Sequence, residues 1–158
     1  MTDILAMLHQ LGIECRTFEH PPVMTVEEAR AHSAGIDAVH TKNLVLKDAA
    51  GEYYLVVLPA DMQIDLKVLP ARIGSKRLRF APADQLPDLL GVSTGAVSVL
   101  AIVNDAAGRV RLIVEASLMD AERIACHPLD NRRTTVIAPE GLRTFLAAIG
   151  REAAYVAL

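Results

Sequence analysis

A lysine opens an apolar run in the stretch HTKNLVLKD, residues 40–48. If this segment is extended, its side chains alternate, so Lys42 shares a face with Leu44 and Leu46 while Asn43, Val45 and Lys47 take the other. An ammonium group in that position either snorkels past the sheet end or is aimed into a cleft, where it meets an anionic or carbonyl-like group. The other polar residues set at strand ends or turns are Asn43, Asn104, Asp105, His127, Asn131 and those of the loop GVSTGAVS, residues 91–98. Gly91 reads as a helix C-cap and Gly95 as a turn glycine. Together they also let backbone N–H and C=O groups approach a small ligand, because no Cβ blocks the way. His127, just before Pro128, reads either as a structural hydrogen-bond donor or as a catalytic group. Ser98 lacks the His and Asp spacing of an activated nucleophile. GxGxxG, a phosphate loop, HExxH and GxSxG are all absent, so the common nucleotide, metal-protease and serine-hydrolase classes lose weight. Cys15 and Cys126 stand alone with no metal-type spacing, which implies neither a zinc site nor a disulfide framework.

These residues need a scaffold. The chain has 158 residues, 52% hydrophobic and 22% charged, enough for one domain over residues 1–158 with its own core. No apolar run reaches the roughly 18 residues of a membrane helix and no signal peptide opens the chain, so the expected location is the cytoplasm, away from membranes. A net charge of -3 argues against indiscriminate nucleic-acid binding, DNA included. Two local basic groups remain, Lys76, Arg77 and Arg79 in one stretch and Arg132 and Arg133 in another. Apolar spacing predicts a first helix from about Asp3 to Leu11, ended by Gly12, then a short strand in ECRTFEH. Thr25 and Glu28 form a capping box, so Glu27 and Glu28 read as first-turn carboxylates of a helix running to about Ser33. KNLVLKD and YYLVVLP make a hairpin across AAGE, and the second run, apolar on both faces, predicts a central covered strand. A short helix disturbed by Pro70, a strand in RLRFA and a helix ending near Gly91 follow. VSVLAIVND, RVRLIVEASL, RIACHP and TTVIA continue the strand-rich pattern before a last helix over residues 140–149. The fold class is mixed α/β (α+β), a curved mixed sheet with surrounding helices.

TKNLVLKD, YYLVVLPAD, IDLKVL, KRLRFA, GVSTGAVS, IVND and CHPLDN follow one another in an order and spacing that resembles the YbaK-type aminoacyl-tRNA deacylases over nearly the whole chain. The Asn after the lysine and the GV..G.VS loop are most similar to the free-standing branch related to the editing domain of bacterial prolyl-tRNA synthetases, whose members hydrolyse Ala-tRNA(Pro). The resemblance implies that Lys42 is the lysine on which activity depends. It implies that the loop holding Gly91, Thr94, Gly95 and Ser98 grips the amino acid's α-ammonium group, and that Asn43, His127 and Asn131 line or brace the pocket. The chain departs from the usual GV.PGSVSPFG. Thr94 replaces the first proline, Ala96 a serine, Val99 the second proline, and Leu100 and Ala101 the following Phe and Gly, which bears on the amino acid accepted.

The implied reaction is attack of water on the ester between an amino acid and the terminal ribose, and it builds charge on the carbonyl oxygen. A positioned ammonium stabilises that charge without deprotonation, so Lys42 is expected to act electrostatically, with no cofactor or metal. The expected partners are the acceptor end of a mischarged tRNA and a prolyl-tRNA synthetase. Lys76, Arg77, Arg79, Arg132 and Arg133 are the phosphate-contact candidates. The alternatives are a non-catalytic module binding aminoacyl-tRNA or a synthetase, and a deacylase for another small aminoacyl group. Lys42 is expected to face a cleft bordered by Gly95, Ser98 and His127.

Overall fold

A computed structural model describes residues 3–21 and 35–158. The helix expected around Thr25 and Glu28 lies outside the described residues. Helix α1 (Ile4–Gln10) starts at Asp3, whose carboxylate accepts the Ala6 N–H, and stops where Gly12 takes a φ of 72°. Strand β1 (Cys15–Glu19) follows, then the hairpin of β2 (Val39–Asp48) and β3 (Tyr53–Pro59). Asp48 is 4% exposed and shapes that turn, its carboxylate accepting the N–H groups of Ala50, Glu52 and Lys76. These bonds hold its pKa below the usual carboxylate value despite the opposing cost of burial, which is the largest single influence.

Helix α2 (Leu69–Ile73) carries Pro70 in its first turn, where a missing N–H costs nothing. The proline therefore opens this helix and does not disturb it. Strand β4 (Leu78–Phe80), a 3-10 turn (Ala83–Gln85) and α3 (Leu86–Leu90) lead into the glycine loop. The apolar run after it is a 3-10 helix, Val99–Asn104, and not a strand: the Ser98 oxygen caps it by accepting the Leu100 N–H. Strands β5 (Val110–Glu115), β6 (Ile124–Cys126) and β7 (Arg133–Ile137), helix α4 (Pro139–Ala148) and a last strand β8 (Ala153–Val156) complete the order. Strand β8 is not among the elements that the residue pattern predicts.

The strands form one mixed sheet in the order β1-β7-β6-β2-β3-β5-β8, with β4 paired to β2 off that path. Pairs β2–β6, β3–β5 and β5–β8 are parallel and the rest antiparallel. The larger core packs on one face and joins Val45, Leu55, Val57 and Val114 to Leu89, Val97, Leu100 and Phe145. A smaller core on the other face joins Leu46, Tyr54, Val56, Leu58, Leu69, Leu78 and Ile113. Strand β3 is thus buried on both sides, as its doubly apolar sequence requires. Among the described residues no helix is long and apolar enough to cross a membrane.

Candidate active site

Strand β2 has two edges. One pairs with β3 along residues 41–47. The other meets β6 at Val39 and His40 and β4 at residues 46–48. Between them the sheet has a gap. The hydrogen bonds show which residue faces it. The His40 carbonyl accepts from Ala60 N–H and the Asp48 N–H donates to Glu52 O, so even-numbered residues of β2 bond toward β3. Val39 N–H donates to Arg123 O and Val45 O accepts from Ala81 N–H, so odd-numbered residues bond toward the far edge. Asn43 lies between Val39 and Val45 in this alternation, and its main chain faces the gap. Two enclosed side-chain atoms have no hydrogen-bond partner among the described residues, His40 Nε2 and Asn43 Oδ1. They flank Lys42 on either side in sequence. Buried polar groups are nearly always paired, so this concentration of unmet capacity makes the gap the candidate binding site.

The β2–β3 register sets Lys42 opposite Leu58 of the smaller core and Asn43 opposite Val57 of the larger one. Lys42 is half-buried and makes no ion pair among the described residues. In the parallel β2–β6 ladder His40 is level with Ala125. The ladder stops there: β6 ends at Cys126, and His127 is the next residue of the chain. Thr41 braces the junction by donating from Oγ1 to Ala125 O at 2.7 Å.

The imidazole of His127 is fixed. Its Nδ1 lies 2.9 Å from the Arg133 carbonyl oxygen, which can only accept, so Nδ1 carries the proton and Nε2 keeps a lone pair. His20 is held in the same way, with Nδ1 at 2.9 Å from Pro21 O and Nε2 at 2.8 Å from the Thr134 hydroxyl. The two rings stand 6.2 Å apart between centroids. Burial lowers the His127 pKa and the charge of a protonated His20 would add to this, against the opposing pull of Arg133 O and Asp130. The folded state therefore binds fewer protons than the unfolded state between the lowered value and the ordinary one of about 6.5. Stability from this group is complete above about pH 6.5 and is lost as pH falls through the folded pKa. Denaturant unfolding at pH 7.5 and 5.5 is expected to show a smaller loss of stability in His127→Gln than in wild type.

The glycine loop packs through Val92, Ala96 and Val97 into the larger core, on the side to which Asn43 points. Gly91 closes α3 with φ 68°, and a Cβ there would stand 2.8 Å from Asn104 Nδ2, whose amide donates to Leu90 O. Gly91→Ala is expected to cost about 1–2 kcal/mol from the left-handed backbone alone, read as a lowered midpoint in thermal unfolding. Thr94 is exposed and Gly95 half-buried, both in a 3-10 turn (Thr94–Ala96). Ser98, expected to line the pocket, is 0% exposed and turned into the fold as the cap described above. Its part is to hold the loop. Lys42 thus stands on the strand beside the gap, His127 directly follows β6, the loop packs into the larger core, and Ser98 is turned into the fold.

Asn131 is half-buried in the loop after His127. In the same loop Leu129 takes a left-handed φ of 67°, a strained backbone of the kind that clusters at functional loops. Arg133 is held by Asp130, with Nε at 2.9 Å from Oδ2, and Asp130 Oδ1 also accepts the Arg132 N–H. The guanidinium of Arg133 is therefore committed inside the loop, whereas Arg132 is exposed. Lys76, Arg77 and Arg79 are exposed, and Arg77 and Arg79 line a shallow cleft with Lys47 at the end of β2. Lys47 is five residues along the strand from Lys42, about 17 Å. Sequence reasoning missed His20 and His40. Their signal was position: His40 lies two residues before Lys42 on the same strand face, and His20 ends β1.

The profile described as "Aminoacyl-tRNA editing domain" matches residues 20–145. "Prolyl-tRNA editing protein ProX" of Acetoanaerobium sticklandii is 38% identical over 149 residues, covering 93% of this chain and 90% of that protein. "Prolyl-tRNA synthetase associated domain-containing protein 1" of Xenopus laevis is 35% identical over 155 residues, covering 95% and 92%. The crystal structure of the protein APE2540 superposes with a TM-score of 0.75 at 23% identity, covering 98% of this chain and 99% of that one. A candidate trans-editing enzyme for prolyl tRNA synthetase does so with 0.69 at 20% identity, covering 98% and 94%. The last two show the fold. With the profile spanning the gap, Lys42 and the histidine face, and with relatives matching along almost their whole length, this chain belongs to the aminoacyl-tRNA editing domain family.

Proposed function

We propose that this protein is a trans-editing hydrolase that deacylates mischarged tRNA, with Ala-tRNA(Pro) as its substrate. The observation that carries this reading is Lys42, a half-buried ammonium with no ion pair among the described residues, at a gap in the sheet and next in the chain to the enclosed, unpartnered Oδ1 of Asn43. The oxygen of a water adds to the ester carbonyl carbon, and the carbonyl π pair moves onto oxygen. When the tetrahedral species collapses, the C–O bond to ribose breaks. The ribose oxygen takes the proton given up by the water, leaving the free amino acid and an intact 3′ end. Lys42 stabilises the oxyanion and stays protonated throughout. The substrate's neighbouring ribose hydroxyl orients the water, which fits a site with no activated protein nucleophile among the described residues.

A proline pocket cannot firmly exclude alanine, since a missing methylene is worth about 1–3 kcal/mol. A second pocket too tight for proline sorts in the opposite direction and clears the error made by a prolyl-tRNA synthetase. Exposed Lys76, Arg77, Arg79 and Arg132 are the proposed phosphate contacts, with Lys47 beside Arg77 and Arg79. Charged tRNAs carrying labelled alanine, cysteine or proline, mixed with a hundredth part of protein, test the reading. Many equivalents of alanine released per protein, with proline retained, support it. Saturable binding without release supports the binding module in its place, and preferential release of cysteine moves the substrate within the deacylase class.

A further inference from the structure

The gap beside β2 presents a main-chain donor as well as a side chain. Asn43 sits between Val39, whose N–H reaches Arg123 O, and Val45, whose carbonyl takes the Ala81 N–H, and it faces the same edge as both. Neither β6, which ends at Cys126, nor β4, which ends at Phe80, extends across to it. Among the described residues nothing pairs with the Asn43 N–H or C=O. A backbone donor in mid-strand with ladder partners at 39 and 45 and none at 43 contradicts the rule that such groups are accounted for. It adjoins Lys42, whose side chain carries a positive charge beside the same gap.

We infer that the main-chain N–H of Asn43 is a second oxyanion donor of the site, receiving the ester carbonyl oxygen as water adds to the carbon. The inference rests on the deacylase reading. Geometry favours it over a purely structural role in two ways. The N–H is fixed by the β2–β3 ladder on the far side of the strand, so it needs no reorganisation as charge develops. It also points within the plane of the sheet, whereas the Lys42 side chain rises from one face. The two donors thus approach one oxygen from different directions, in-plane and from above. The Asn43 carbonyl, on the same edge, is left to accept from the substrate's α-ammonium, the pairing that one residue of an added strand would make.

Replacing residue 43 by the α-hydroxy acid counterpart of asparagine turns this N–H into an ester oxygen and keeps the side chain. Because the bond removed faces the gap and not β3, the thermal midpoint is expected to stay close to wild type. Turnover of Ala-tRNA(Pro) is expected to fall about 10²–10³-fold, with KM changed little, as for loss of one oxyanion donor. A folded variant with wild-type kcat overturns the inference. Should that variant fail to fold, the wild-type amide resonance of Asn43 decides. A phosphonamidate in which 1-aminoethylphosphonic acid is joined to 3′-amino-3′-deoxyadenosine carries the tetrahedral anionic oxygen, and the corresponding alanyl amide does not. The Asn43 amide proton is expected to move downfield with the first relative to the second, and an unmoved resonance in the presence of bound phosphonamidate overturns the assignment. Failure of the deacylase reading is separate: wild type would then release no amino acid from any charged tRNA.

Discussion

Lys42→Ala is expected to lower deacylation turnover by about 10²–10³-fold, equivalent to about 3–4 kcal/mol of barrier, while the thermal midpoint moves by no more than about 2 °C. The two halves of this result come from one observation. Lys42 makes no ion pair among the described residues and stands at the margin of the smaller core, so removing its charge leaves no orphaned partner in the fold. On the proposed function, this half-buried ammonium, with no ion pair among the described residues, meets charge that develops on a substrate. Its contribution is larger in the transition state than in the ground state, so kcat is expected to fall much more than KM rises. Lys42→Met keeps most of the aliphatic stem and should behave like the alanine variant, separating charge from packing. A variant that is equally folded and fully active would remove Lys42 from the chemistry.

The largest loss of stability is expected at Asp105. Asp105, 5% exposed, accepts Arg109 N–H on Oδ1, and Val110 N–H and Arg151 Nη1 on Oδ2 at 2.8 and 2.9 Å. Arg151 also donates to the carbonyls of Asp105 and Val110. This cluster ties the start of β5 to the turn between α4 and β8, and the Asp105 and Arg151 side chains are 2% and 18% exposed. Deleting the carboxylate strands a guanidinium and two N–H groups together. Breaking such a buried pair by removing one partner costs about 3–5 kcal/mol. Asp105→Ala is therefore expected to lower the thermal midpoint by roughly 10 °C or more, measured by circular dichroism, with turnover at 20 °C close to wild type because none of the cluster's hydrogen bonds is to Lys42, Asn43 or His127. A midpoint within 2 °C of wild type would show the pair to be worth no more than an exposed one.

Much of this is legible in the order of residues. Alternation along β2 alone assigns Lys42 and Asn43 to opposite faces, and the doubly apolar β3 announces a covered central strand. Gly91 fulfils its reading as a helix cap and has a steric reason for it in Asn104. What escapes such a reading depends on partners that residue types alone do not name. Val99–Asn104 is apolar enough for a strand, and periodicity cannot separate a short buried strand from a short buried helix. The Ser98 cap decides it. Strand β8 is four residues long and exists because β5 offers an edge to it. Arg133 has the composition of a solvent-facing cation, yet the turn folds Asp130 back onto it. The gap at Asn43 has no sequence signature at all, since it arises where β6 stops and β4 has not begun along a shared edge.

The most direct test of the account is the ratio of kcat/KM for Ala-tRNA(Pro) to that for Pro-tRNA(Pro), measured as release of labelled amino acid by catalytic amounts of wild type with Lys42→Ala alongside. The account predicts repeated turnover of the alanyl ester, a prolyl ester left essentially intact, and loss of the alanyl activity in the variant. Equal release of proline and alanine, or alanine release that survives in Lys42→Ala, would contradict it.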